Sequence, residues 1–158
     1  MKKIIYTLIA FVVVFSSCRK DTIDAGGTAV QDMSGEFWVQ ADDGDPAWYR
    51  ISTFNTASNS STQMWLKETD YGYQTLVNVN LSAGTFAQPS GTDITGAWTA
   101  KPVVITDGKI IKNGTKAPGS GVTTDQLTFT ATISSAANGT YTLKYTGYRR
   151  TKFLADDH

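Results

Sequence analysis

The chain has 158 residues, room for one ordinary domain and too few for two. Lysine plus arginine balance aspartate plus glutamate at 14 each, and no basic run is longer than the pairs Arg19-Lys20 and Arg149-Arg150, so nucleic acid is not an expected partner. The only cysteine is Cys18, which leaves neither a disulfide framework nor a cysteine metal cluster to hold the fold.

Residues 1–17 read as a leader. Lys2 and Lys3 precede an apolar run from Ile4 to Phe15, which falls short of the roughly 20 residues a spanning helix needs. Ser16 and Ser17 then lead to Cys18. This order resembles a bacterial lipoprotein signal peptide, which implies cleavage before Cys18 and acylation of its thiol. Cleavage removes Lys2 and Lys3 and no acid, leaving 12 basic against 14 acidic side chains, so attraction to anionic lipid would not hold the protein to a membrane. Two or more acyl chains would, because each buried CH₂ contributes about 0.8 kcal/mol and one chain alone is marginal. Residues 18–30, with Gly26-Gly27, are expected to be a flexible tether, and residues 31–158 the folded domain. Asp21-Thr22-Ile23 resembles a short O-glycosylation site of exported proteins in some gut bacteria. The expected location is the cell envelope, at the outer membrane, on its periplasmic face or the cell surface.

From Gly35 onward the pattern is strand after strand: residues 35–42, 48–55, 63–69, 73–81, 85–88, 102–106, 109–112, 126–133 and 140–148, all rich in Val, Ile, Thr and aromatics. Turn signals separate them at Asp42 to Pro46, Ser82-Ala83-Gly84, Lys116 to Gly121 and Asn138-Gly139. Asp107-Gly108 between two β-branched runs predicts a tight hairpin. Leu127, Phe129, Ala131 and Ile133 alternate with three threonines, and Val77 and Val79 with Asn78 and Asn80, so one face is buried and the other wet. Little helix is expected. The predicted fold is all-β, a single antiparallel up-and-down barrel of about eight strands, with a two-sheet sandwich as the rival. Folding at this size buries roughly two thirds of the chain's surface, enough for stability without disulfides.

The last strand raises a question of its own. Tyr141, Leu143 and Tyr145 share the apolar face, and Gly147 and then Arg149 continue it, so a buried face ends in a charge. In an up-and-down barrel the first and last strands are neighbours. Arg149 is therefore expected to lay its guanidinium over Phe37 or Trp38 beside the flexible Gly35, donating to carbonyls at the barrel floor and closing it. The competing expectation is a bulge at Gly147 that turns Arg149 to solvent, with Arg150 as the plug. A Gly-x-aromatic on the first strand paired with a terminal arginine resembles the lipocalin signature, with Phe37 where a tryptophan is usual.

A broader resemblance covers nearly all of residues 31–158. "AVQDMSGEFWV", "TFNTASNSSTQMWL", "ITDGKIIKNGTKAPGSGVTTDQLTF" and "YTGYRRTKFLADD" are together similar to the Bacteroidetes-type lipoproteins called lipid-binding putative hydrolases. Gly147 to Phe153 is the most specific segment; Phe37 and Tyr148 depart from the tryptophan and histidine usual there. The resemblance implies a lipocalin/calycin-like barrel and a bound lipid. It carries no catalytic residue over to this chain.

Nothing in the sequence assembles a hydrolytic site. The one histidine, His158, is the last residue, and no Gly-x-Ser-x-Gly elbow is present. The carboxylates Asp42, Asp43 and Asp45, or Glu68 with Asp70, are commoner as turn residues than as acid-base or calcium sites, so no catalytic residue, metal or cofactor is expected. Binding of a small apolar ligand or lipid is the leading expectation, with Met64, Leu66, Val77, Val79, Leu127, Phe129, Tyr141, Leu143 and Tyr145 as interior candidates. The alternative is a surface platform for a glycan or an envelope protein, built from Trp48, Tyr49, Trp65, Tyr71, Tyr73 and Trp98.

Overall fold

A computed structural model describes residues 26–70, 72–95, 102–135 and 139–158. The leader, Cys18, the glycosylation-like tripeptide, Tyr71, Trp98 and Asn138 lie outside them. Eight antiparallel strands follow one another around a closed barrel. They are β1 (Gly35–Ala41), β2 (Tyr49–Asn55), β3 (Gln63–Glu68), β4 (Gln74–Asn80), β5 (Thr85–Thr92), β6 (Pro102–Lys116), β7 (Thr123–Ser135) and β8 (Gly139–Arg149). The pairing of β1 with β8 closes the sheet on itself and leaves no sandwich. Each strand pairs with its neighbours in sequence, so alternation on each one sorts apolar side chains inward all the way round.

The interior is packed with the residues that alternation put there. Met64, Leu66, Val77 and Leu127 are completely buried, Phe129 nearly so, and Phe37, Val39, Ile51, Val103 and Ile105 join them from the other strands. Burying one such side chain contributes about 1.5–3 kcal/mol. Val30 and Met33 flank a single 3-10 turn, Gln31–Met33, and cap one end of this core. Thr53 Oγ1 ties the turn down by donating to the Met33 carbonyl at 2.6 Å. The core thus starts at Val30, inside the stretch assigned to the tether.

The hairpin expected at Asp107-Gly108 is not formed. Residues 102–106 and 109–112 belong to one long strand, β6, whose pairing slips between Thr106 and Lys109 against β7 and between Ile105 and Gly108 against β5. On β7 the same interval spans Thr130 to Thr128, so β6 carries one extra residue there. Asp107 absorbs it at φ 53°. A bulge and a two-residue hairpin ask for the same left-handed residue, and only the partner strands decide between them. The true turn after β6 is at Ala117 to Val122, where Ala117 N donates to the Val122 carbonyl at 2.9 Å.

Gly108 is needed for closeness rather than for conformation. A Cβ there would fall 2.3 Å from the Phe86 carbonyl oxygen and 2.4 Å from its ring. Gly108→Ala is expected to cost about 1–3 kcal/mol, read as a lower urea midpoint at constant slope. An unchanged midpoint would mean that the Phe86 ring moves aside freely.

Candidate ligand-binding interior

The two ends of the barrel differ. At the end capped by the 3-10 turn, Arg149 pairs with Phe37 across the β1–β8 ladder, and its guanidinium carbon lies 4.9 Å from the Phe37 ring centroid. Arg149 Nη1 donates to the Ser34 carbonyl, and Nε donates to Asp125 Oδ2 at 2.9 Å. Asp125 also accepts from Lys112 Nζ at 3.2 Å and from Asn113 N at 3.0 Å. Burial alone would raise the Asp125 carboxyl; the Asn113 N–H, Lys112 and Arg149 outweigh it and hold the group below its ordinary value. Gly35 makes room for the guanidinium, since a Cβ there would sit 2.2 Å from Arg149 Nη1.

The ladder from Phe37–Arg149 to Ala41–Tyr145 runs without a shift, so Gly147 is not a bulge. Trp38 points the other way. It lies on the outer face, where its Nε1 donates to Asp157 Oδ1 at 3.3 Å, and takes no part in the Arg149 contact, because adjacent residues of a strand face opposite sides. Arg150 is also outside, bridging Glu36 and Asp157.

Tyr141 departs from its expected place. Its phase is inward, but the pairing of β8 with β1 ends at Ala41–Tyr145, so Tyr141 stands on a part of β8 that β1 does not cover and is 43% exposed. Leu143 and Val79 are half-buried, and Tyr145 is fully enclosed. Within the barrel Tyr145 stacks on Phe129, with ring centroids 4.7 Å apart, and meets Tyr49 edge to face at 6.3 Å.

The opposite end of the barrel carries polar groups that alternation had concealed. Tyr73, Thr75 and Glu68 are completely buried. Glu68 continues the inward phase of Met64 and Leu66, and its carboxylate accepts from Asp70 N at 2.8 Å and Gly72 N at 3.1 Å. Asp93, 4% exposed, accepts from Gln74 N at 2.9 Å and from Thr95. Tyr73 Oη and Thr75 Oγ1 make no hydrogen bond of ordinary geometry among the described residues, although Tyr73 Oη faces the Tyr145 side chain. Burial pushes the Tyr73 phenol well above its ordinary value, and the neighbouring Tyr145 and Glu68 raise it further. Tyr73 therefore stays a neutral donor at physiological pH.

A model of the family described as lipid-binding putative hydrolase matches residues 22–154, a span that includes all eight strands. The chain belongs to the lipid-binding putative hydrolase family. No curated protein matches it. In this family member the aromatic set expected on the surface is divided: Tyr49 and Tyr73 point into the barrel, and Trp65 stands half-buried on the outer face between Phe54 and Leu76. Trp48 packs elsewhere, stacked on the His158 ring at 4.4 Å. The signal for Tyr73 and Thr75 was their phase with Val77, and for Glu68 its phase with Leu66. Among the described residues, no three His, Cys, Asp or Glu side chains are grouped to hold a metal ion. The Asp42–Asp45 carboxylates serve the chain itself, Asp42 accepting from Lys144 N, Asp43 from Asp45 N and Asp45 from Ala47 N.

His158 is docked rather than frayed. Its Nε2 lies 2.8 Å from the Tyr148 hydroxyl, which donates to the Asp156 carbonyl. Asp156 anchors this segment to the β6–β7 turn, its carboxylate accepting from Gly119 N, Ser120 N, Ser120 Oγ and Thr151 Oγ1. Burial opposes ionisation there, but these donors win and hold the carboxyl at about 2. The unfolded chain has a value of about 3.9, so the contribution is present above that pH and is lost as pH falls toward 2. Asp156→Asn is expected to lower the slope of stability against pH in that window by about one proton. Acid titration of unfolding midpoints checks it; an unchanged slope would remove Asp156 from the acid response.

Proposed function

We propose that this protein is an exported, acyl-anchored lipoprotein of the cell envelope that binds a small apolar or lipid-like molecule in its barrel, without catalysing a reaction. The observation that carries the reading is a pair of enclosed hydroxyls inside the barrel, Tyr73 Oη and Thr75 Oγ1, that meet no hydrogen-bonding criterion with any of the described residues. An unsatisfied buried hydroxyl costs about 1–3 kcal/mol, a cost that a ligand's polar group offsets on binding. The apolar chain of such a ligand would run among Phe129, Tyr145 and Val77. The family description supports a lipid as the occupant. Anchoring rests on the position of Cys18 after the leader's apolar run, and it predicts an acylated N-terminal cysteine in the mature chain.

The test is native mass spectrometry of the Cys18→Ser chain, exported by its own host and purified without detergent. One retained lipid-like molecule per chain is the expected result. Protein that arrives empty and also refuses added single-chain lipids would overturn the reading.

A further inference from the structure

The two ends of the barrel also differ on the outside. Seven large apolar side chains are exposed among the described residues, and five of them, Leu81, Ile111, Val122, Phe153 and Leu154, belong to the end closed by Arg149. Single exposed apolar side chains are ordinary, but Phe153 and Leu154 are 54% and 91% exposed in a segment that is firmly fixed. The buried Asp156 carboxylate ties that segment to Gly119 and Ser120 of the β6–β7 turn, which also carries Val122, so these side chains are held out in water against the hydrophobic effect. A patch kept in this way marks an interaction surface.

Charge and chain path at this end point to the partner. The acids here are taken up: Asp32 lies 3.8 Å from Lys112, Asp125 is paired with Arg149, Glu36 and Asp157 with Arg150, and Asp156 is buried among its donors. Lys116 and Lys152 stand exposed, with no ion pair among the described residues. The N-terminal segment enters the fold at the same end, where the turn Gln31–Met33 caps the core and Ala29 N donates to Asn59 Oδ1 of the β2–β3 loop at 2.8 Å. Gly26 is only eight residues on from Cys18, a stretch that spans at most about 28 Å. Arg19 and Lys20 balance Asp21 and Asp24 within it, so it adds no net charge. An acylated Cys18 therefore keeps this end of the barrel close to the lipid that holds the acyl chains.

Resting on the acyl-anchoring reading, we infer that this end of the barrel docks on the surface of the anchoring membrane, with Val122, Phe153 and Leu154 entering the head-group layer and Lys116 and Lys152 meeting the phosphates of anionic lipids. The acyl chains supply attachment, which the mature chain's mildly negative net charge could not, and the patch supplies orientation. The opposite end, with Tyr73 and Thr75, then faces the aqueous space.

The test uses the acylated chain, purified from its host and reconstituted into vesicles of phosphatidylethanolamine with a minority of phosphatidylglycerol. Intact mass first reports the acyl group on Cys18; its absence overturns the anchoring reading and this inference with it. Acylation blocks the only natural thiol, so Ala155→Cys and Thr92→Cys, exposed positions at opposite ends, each take a single nitroxide label. Collisions with the neutral complex nickel ethylenediaminediacetate are expected to be at least about threefold rarer at the Ala155 label than at the Thr92 label, and collisions with oxygen more frequent. Equal access at both labels in acylated protein would overturn the docking and leave the anchor intact. Lys152→Glu combined with Leu154→Ser, checked for an unchanged melting temperature, is expected to abolish the difference while the protein stays on the vesicle. A difference that persists in this folded variant would trace it to nearness to the tether and overturn the docking, and shielding that follows protein density rather than lipid would give the face to a second copy and overturn it as well.

Discussion

Replacing Arg149 with alanine lowers the free energy of unfolding by about 2–4 kcal/mol, the range expected when one partner of a largely buried charge pair is removed. Three losses add up in this one truncation. The guanidinium no longer covers the Phe37 ring, the Ser34 carbonyl loses its donor, and Asp125 keeps only Lys112 and Asn113. Arg149's side chain is 25% exposed and Asp125's 12%, so water screens part of the charge interaction, and the estimate stays below the full cost of a stranded buried carboxylate. Arg149→Lys should recover only part of the loss, because an ammonium cannot lie flat over the ring and reach a carbonyl and a carboxylate together. Denaturant melts of the three proteins settle the matter. A loss below about 0.5 kcal/mol for Arg149→Ala would mean that the arginine does not close the barrel.

Gly147→Ala is expected to be at least as damaging, costing about 3 kcal/mol or more. A Cβ at Gly147 would lie 1.9 Å from the Trp38 carbonyl oxygen and 2.5 Å from Val39 Cα. Both obstacles are backbone atoms of β1 in the middle of the ladder that closes the sheet. Relief therefore requires β1 and β8 to part, which breaks the hydrogen bonds of closure and opens the core beneath Val39. Gly26→Ala supplies the control, since nothing lies within 4 Å of a Cβ at that position. Circular dichroism and melts should show Gly147→Ala weakened or unfolded and Gly26→Ala unchanged; a fully stable Gly147→Ala protein would contradict the tight approach of the two strands.

Arg149 and Gly147 were both visible in the sequence, for different reasons. Arg149 stood out because it continued the inward phase of Tyr141, Leu143 and Tyr145, and a charge on a buried face requires a partner. Its partner's identity was open between Phe37 and Trp38, and strand pleat alone separates them once the register is known. Gly147 was visible only as a candidate bulge. Its actual role depends on how near β1 passes, a distance that nothing in the local sequence encodes.

The polar groups at the end opposite Arg149 show the same division. Tyr49 and Tyr73 belong to the aromatic set that the alternative, an outer platform, would use if exposed, whereas the barrel wall places both inside. Glu68 receives the backbone N–H groups of Asp70 and Gly72, the turn role expected of it rather than an acid-base pair with Asp70. The phase along each strand carries the information that places these side chains inside.

By itself the sequence determined an all-β chain, the inward set on most strands, and an arginine in need of burial, because alternation is a two-residue property that each strand expresses alone. Tertiary structure alone decided that Asp107-Gly108 is a bulge inside β6, that Tyr141 lies beyond the reach of β1, and that His158 docks against Trp48 and Tyr148. Those outcomes depend on which strands become neighbours and how far each runs past the next. They are set by contacts between residues distant in sequence, and so appear only when the barrel closes.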